Sequence, residues 1–424
     1  MCLEWPIKEA GDNNRSEHTN KKDNFNMPLS QLVNNLKPSA TLSINAKVKQ
    51  LRSSGIDVIG FSAGEPDFDT PEHIKAAAIK SIKSGFTKYT PTSGIPELKE
   101  AICEKLFKEN KITYSPQQIM VSCGAKHSIY NCILTLCNEG DEVLIPSPYW
   151  VSYPEQVALA RGRPVFIPTS DENDFKVTRK DIENHLTDKT KLLIINSPSN
   201  PTGTVYTEEE LFDICNFAIQ SGLYIISDEI YEKIIYDGVK HVSPASFGKE
   251  FTEKIITING LSKSSSMTGW RMGYTAGPAD IIKAATLIQD HTTSCPNSFT
   301  QQASVVALRQ ENTSNEMLIE FDKRRKYIVE RLNNMEGITC MLPKGAFYVF
   351  PKVDGLFKRS INGQSVNNSI ELVSLVLDEV KVAFVPGECF GSGLYVRISY
   401  AVSMENIKEG MNRLENLLSG VAVV

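Results

Sequence analysis

Two cationic side chains stand in a run of small residues at positions 258–273, Ile-Asn-Gly-Leu-Ser-Lys-Ser-Ser-Ser-Met-Thr-Gly-Trp-Arg-Met-Gly. Small neighbours leave the ammonium of Lys263 open to close approach. The guanidinium of Arg271 has the planar fork that grips a carboxylate or a phosphate. Alone, the run also reads as a polar loop with a solvated lysine. Asp228 and Glu229 follow the run Tyr224-Ile225-Ile226-Ser227. A carboxylate buried there needs a cation, whether a structural partner, a metal or a protonated ring nitrogen. Spacing does not choose between the two acids. Tyr231, just beyond, is placed to donate to an oxygen near the same group.

Other residues with possible chemistry sit at similar places. Asn200-Pro201-Thr202-Gly203 follows an apolar run and by itself is a turn. Trp150, in Pro148-Tyr149-Trp150, is either core or a platform for stacking. At Cys123-Gly124-Ala125-Lys126 a strand feeds through glycine into a helix, which leaves free N–H groups aimed at one spot, a ready anion site. Arg397 lies inside the apolar run 394–400, on one face with Tyr395 and Ser399. It needs an anion there, from the chain or from a substrate.

The elements that carry these residues alternate. Strands are expected near 118–122, 142–146, 164–168, 191–196, 224–227, 255–258 and 272–276, with helices such as Glu208–Gln220 in the gaps. That rhythm predicts an α/β fold, a mainly parallel sheet between two helical layers. Such sheets bind ligands beyond the carboxyl ends of their strands, where Gly124, Asn200, Asp228 and Lys263 fall. Two helical pieces broken at Pro38 and a strand at 57–62 come first. A tight loop then leads to a helix at Pro71, capped by Thr70. From Ser304 the pattern changes to one long helix (304–335), a strand at 346–351, a helix at 370–377 and a strand at 394–400, a smaller α+β domain. The expected organisation is a disordered polar tail (1–26), a segment joining the small domain (27–62), a large domain (63–303) and a small domain (304–424).

Composition narrows the classes. The 424 residues carry a net charge of −5, which gives no general affinity for nucleic acid or an anionic membrane. No apolar run approaches the ~18 residues of a membrane span. Nine scattered cysteines and six dispersed histidines show no zinc spacing, so no metal is expected, and free thiols point to a reducing, cytoplasmic setting. The first 26 residues resemble neither a secretory signal nor a transit peptide. Walker, dinucleotide and serine-hydrolase motifs are missing. What remains is one apparatus. A lysine can condense with an aldehyde, an acid can hold a pyridinium, and an arginine with a helix start can hold a phosphate. Pyridoxal 5'-phosphate requires that set.

From Leu29 onward the sequence resembles the class I aminotransferases of the fold-type I pyridoxal-phosphate enzymes, in the bacterial-type aspartate aminotransferase branch. The motifs are Lys37-Pro38-Ser39-Ala40-Thr41, Ala63-Gly64-Glu65-Pro66-Asp67-Phe68, Tyr89 to Leu98, Pro148-Tyr149-Trp150, Asn200-Pro201-Thr202-Gly203, Asp228-Glu229-Ile230-Tyr231 and Ser262-Lys263 through Trp270-Arg271. The resemblance implies that Lys263 carries the cofactor and moves the substrate Cα proton, while Asp228 partners the ring nitrogen and is held ionised by it. Tyr231 and Asn200 would bond the ring oxygen and Trp150 would stack on the ring. Gly124, Ala125 and Arg271 would cradle the phosphate, with Tyr89 reaching the phosphate of a neighbouring subunit in a homodimer.

Arg397, beside Gly64, would take the substrate α-carboxylate; Lys126 and Thr41 would take a second carboxylate. Ser262 and His127 receive no role. The implied reaction is L-aspartate plus 2-oxoglutarate to oxaloacetate plus L-glutamate, by a ping-pong cycle. A prephenate or broad-range aminotransferase and a C–S lyase stay open beside it. A ligand-sensing regulator would need an appended DNA-binding domain, which 26 polar residues do not supply.

Overall fold

The computed structural model describes residues 30–34, 36, 38–309 and 315–420. The tail 1–26 and Lys37 lie outside the described residues. The main sheet has seven strands: β1 (Ile119–Ser122), β2 (Glu142–Ser147), β3 (Arg163–Pro168), β4 (Thr190–Asn196), β5 (Tyr224–Asp228), β6 (Ile255–Gly260) and β7 (Gly273–Ala276), in the spatial order β1-β7-β6-β5-β4-β2-β3. Only β7 runs against its neighbours. The carboxyl ends of the other six therefore point to one edge.

These strands are apolar on both sides because both faces are covered. Leu193, Ile195, Ile225 and Ile255 pack into one cluster with the helices Pro96–Lys105 and Glu208–Gln220. Leu192, Ile194, Ile226, Ile256 and Ile258 pack into another with Ile129 and Ile133 of the helix Ala125–Leu136. The strand period of two sends alternate residues to opposite layers.

A smaller unit lies beside the sheet. Its ladder is antiparallel, Val385–Pro386 with Val396–Ser399 and then Tyr348–Val349. Helices Asn315–Asn333, Ser369–Val380 and Met404–Ser419 join it in a cluster around Phe321, Phe347 and Tyr400. The expected strand at 57–62 is reduced to Ile59–Gly60, and it pairs with Val382–Ala383 of this unit. Two helical pieces, Gln31–Asn34 and Ala40–Ser53, flank Pro38 as expected.

Two expectations fail for physical reasons. The single helix 304–335 is two helices, Ser298–Arg309 and Asn315–Asn333, with 310–314 outside the described residues. The first begins earlier, and its Ala303 and Ala307 pack into the cluster against Leu98 and Ile102. Small residues at this contact let the helices approach closely. Thr70 does not cap the helix Glu72–Lys83; Pro71 holds the cap position. The Thr70 hydroxyl instead donates to the Ser266 carbonyl (2.7 Å) and accepts from the Trp270 indole (2.9 Å). It ties the first loop to the lysine-bearing run.

Candidate active site

A cavity of about 360 Å³ opens beyond the carboxyl ends of β4, β5 and β6, between the sheet and the smaller unit. Lys263, Asp228, Tyr231, Asn200, Ala125, Lys126, Trp150, Arg271, Gly64, Thr41 and Arg397 all line it. Residues from eight separate stretches thus meet. Gly124 lies directly behind Ala125 and Arg271. Tyr89 does not line the cavity and is 91% exposed.

Strand parity separates the two acids. Asp228 shares its face with Ile226, the face covered by the helix Ala125–Leu136, and lines the cavity. It is only 4% exposed, accepts from the Tyr153 hydroxyl (2.6 Å) and faces the Ile230 N–H (3.3 Å). Burial pushes its carboxyl up to about 6, against those two bonds. The expected depression belongs to a carboxylate with a cation beside it, and the described residues provide none in contact.

Glu229 turns the other way. It accepts from Ser227 (2.8 Å), Ser243 (2.7 Å) and His241 (2.8 Å). Ligand atoms of Glu229, Glu232 and His241 fall within 4.8 Å of one another. Their oxygens are already engaged by two serines and by the Lys105 ammonium, which also donates to Asn110 (2.7 Å).

The lysine-bearing turn follows β6. Ser266 and Arg271 take positive φ (51° and 55°), so the chain doubles back from Lys263 into β7. The Lys263 ammonium donates to the Gly64 carbonyl. Burial brings its amine down to about 8; the Arg397 and Arg271 charges push the same way, with Glu65 and Asp228 opposing. Much more of this amine is neutral near pH 7 than in an ordinary lysine.

Close approach requires glycine at two places. A Cβ on Gly124 (φ 90°) would lie 2.4 Å from Arg271 Nη2, so glycine lets the guanidinium sit against the helix start. A Cβ on Gly273 would lie 2.2 Å from the Ala125 nitrogen, so β7 packs tightly under that start. The helix Ala125–Leu136 has no side-chain cap at its N-terminus. Arg271 donates to the Thr268 (2.9 Å) and Cys123 (3.3 Å) carbonyls. The result is an uncapped helix end beside a cation, a cradle for a phosphate.

Arg397 is 2% exposed, with Nη1 on Asn200 Oδ1 (3.0 Å) and Nη2 on the Ser62 carbonyl (2.9 Å). Its guanidinium carbon lies 4.5 Å from the Tyr348 ring centre and 4.9 Å from that of Phe390. Its Nε–H has no partner. Among the described residues no ion pair joins Arg397, Arg271 or Lys126 to a carboxylate. The Lys126 ammonium instead sits 4.9 Å from the centre of the Trp150 ring, and burial lowers its pKa, helped by the Arg271 charge. The hydroxyl of Thr41 is likewise buried and unpartnered.

Four contributors were not read from the sequence. Tyr153 follows Trp150 by one helical turn, which was a usable signal. Tyr348, whose hydroxyl lies 2.9 Å from that of Tyr231, and Gly273 had no distinguishing spacing, and the signal at Thr70 pointed to a helix cap instead.

These features fit pyridoxal phosphate: a buried amine of lowered pKa, a buried carboxylate lacking a cation in contact, an open anion cradle and an orphaned arginine donor. Fold and cavity together define a fold-type I, pyridoxal-phosphate-dependent aminotransferase. Comparison with known proteins agrees. The sequence profile of aminotransferase class I and II matches residues 56–414. An aspartate aminotransferase of Bacillus sp. strain YM-2 is 47% identical over 391 residues, covering 92% of this chain and 99% of its own. A probable aspartate/prephenate aminotransferase of Aquifex aeolicus is 45% identical over 396 residues, 93% and 99% of the two chains. The structure of Thermus thermophilus aspartate aminotransferase with maleate superposes with a TM-score of 0.87 at 38% identity, over 92% of this chain and all of that one. The chain belongs to the class I and II aminotransferase family, in its bacterial aspartate aminotransferase branch.

Proposed function

We propose that the protein transfers the amino group of L-aspartate to 2-oxoglutarate, giving oxaloacetate and L-glutamate in a ping-pong cycle. The observation that carries this reading is a cavity holding two substrate-facing cations, Arg397 and Lys126, with no carboxylate among the described residues paired to either. A dicarboxylic amino acid supplies one carboxylate to each. The relative solved with maleate, itself a dicarboxylate, supports the same match.

In this reading Gly124, Ala125 and Arg271 hold the cofactor phosphate, and Trp150 covers the ring. Asp228 keeps the ring nitrogen protonated, and the new cation relieves the carboxylate of its unpaired burial. Tyr231 and Asn200 donate to the ring oxygen. When bound, the cofactor supplies an electron sink for the charge that develops at the substrate Cα. Arg397 grips the α-carboxylate and so fixes the Cα–H bond relative to Lys263. The neutral Lys263 amine takes that proton and returns it on the other side of the transfer. Tyr89 serves a second copy of the chain, which makes the enzyme a homodimer with shared sites. Eight free cysteines among the described residues suit the cytoplasm.

An amino-donor assay tests this reading. Aspartate and glutamate should outperform alanine, phenylalanine and cysteine conjugates. Lys126→Ala should raise KM for aspartate by roughly 10–100-fold, the range of a charge-assisted hydrogen bond, and leave KM for alanine nearly unchanged. Equal effects on both donors would remove Lys126 from side-chain recognition. Prephenate, the second substrate in the Aquifex relative's name, should be run as acceptor in the same series.

A further inference from the structure

Tyr348 touches three parts of the site at once. Its hydroxyl lies 2.9 Å from the Tyr231 hydroxyl, and both groups are buried. Its ring lies beneath the Arg397 guanidinium, 4.5 Å from centre to carbon. A Cβ on Gly64 would come within 3.0 Å of its oxygen, so the loop whose carbonyl accepts from Lys263 rests on that hydroxyl.

Two buried hydroxyls that share one hydrogen bond have two protons. One lies in the bond and the other points elsewhere. The more acidic hydroxyl is the better donor. The Arg397 guanidinium lies 4.5 Å from the centre of the Tyr348 ring, whereas the cation at the Tyr231 ring, the Lys263 ammonium, lies 5.8 Å away, and a closer cation makes a phenol the better donor. That difference favours Tyr348 as donor and leaves the Tyr231 O–H free to turn into the cavity.

We propose that Tyr348 is a positioning residue with two connected tasks. Its hydroxyl donates to Tyr231 and thereby aims the Tyr231 proton at the cofactor's ring oxygen, while its ring supports Arg397 under the substrate α-carboxylate. One side chain joins the grip on the substrate to the donor that tunes the cofactor. The inference rests on the role given above to Tyr231.

The visible chromophore of the protein loaded with pyridoxal phosphate reports the hydrogen bond, because donation to the ring oxygen favours its ionised form and keeps the chromophore pKa low. Spectrophotometric pH titration should show that pKa raised in Tyr348→Phe by about 0.4–1 unit, the worth of one hydrogen bond, and raised further in Tyr231→Phe. The double variant Tyr231→Phe/Tyr348→Phe should match Tyr231→Phe alone, since Tyr348 acts through Tyr231. Tyr348→Phe keeps the ring, so KM for the amino donor should move less than twofold; Tyr348→Leu, which removes the ring, should raise KM at least fivefold.

An unshifted chromophore in Tyr348→Phe beside a shifted one in Tyr231→Phe would overturn the proposal alone. No shift in Tyr231→Phe would overturn the reading of Tyr231 and the proposal with it. Additive shifts in the double variant, or equal KM values for the Phe and Leu variants, would also overturn it.

Discussion

The carboxylate of Glu229 accepts hydrogen bonds from Ser227, Ser243 and His241, whereas that of Asp228, one residue earlier, holds a single side-chain donor, Tyr153, and faces a cavity. The same contrast separates two buried lysines. Lys105 donates to Glu232 and Asn110 behind the sheet; Lys263 donates to a main-chain carbonyl in front of it, with no ion pair to a carboxylate among the described residues. Behind the sheet the chain neutralises its own charges. Burial opposes ionisation of Glu232, yet Lys105 and His241 hold it at about 2. In front, burial pushes Asp228 up to about 6 and Lys263 down to about 8, because each awaits a partner from outside. Buried charge serves stability in one region and binding in the other, and the two are separated by one strand.

Substitutions on the two sides should therefore fail in opposite ways. The largest effect belongs to Lys263→Ala. Loss of a positioned proton carrier typically costs roughly 10²–10⁴-fold in rate, and loss of the covalent attachment adds to it. Turnover of aspartate should disappear while the urea midpoint stays at or above the wild-type value. Wild-type-like turnover would remove Lys263 from the chemistry. Glu232→Gln should do the reverse. It removes the nearer of the two carboxylates on the buried Lys105 ammonium and leaves Glu109 at 3.6 Å, a change that costs up to about 3–5 kcal/mol in stability, seen as a lower urea midpoint. The protein that remains folded should keep kcat within about twofold. A variant with intact stability and lost turnover would place Glu232 with the site and collapse the contrast.

How much of this was legible in the sequence follows from what kind of signal each part leaves. The seven main strands announce themselves because β-branched runs buried on both faces are dense in Ile and Val, as in Ile255–Ile258, and end in polar turns. The residues at those ends, Asp228, Asn200 and Lys263, inherit their position from the strands. Thr70 misled because a threonine before a proline resembles a cap, and nothing local reveals a partner at Ser266, almost 200 positions away. The helix 304–335 misled because apolar spacing continues through both helices, although they serve different clusters. The choice between Asp228 and Glu229 depended on which layer covers which face, and Tyr348 on a contact between the two units of the fold. Such long-range facts have no local signature.

The contrast can be sharpened at Asp228 itself, where function and stability should oppose each other in one side chain. The folded protein binds a proton at Asp228 with a pKa of about 6, above the ordinary value of 3.8. Between those values the folded state binds more protons than the unfolded state, so stability falls as pH rises through that window, and the cost is fully present above it. Asp228→Asn removes the ionisable group and keeps an acceptor for Tyr153. Cofactor-free Asp228→Asn should therefore be more stable than cofactor-free wild type at pH 7, by about 1–3 kcal/mol, with the advantage shrinking toward zero near pH 4. Pyridoxal phosphate should invert the order at pH 7, because its ring cation stabilises only the wild-type carboxylate. Urea unfolding at both pH values, with and without the cofactor, gives the four numbers required. Equal stabilities at pH 7 without cofactor would mean that Asp228 is already satisfied by the chain, as Glu229 is.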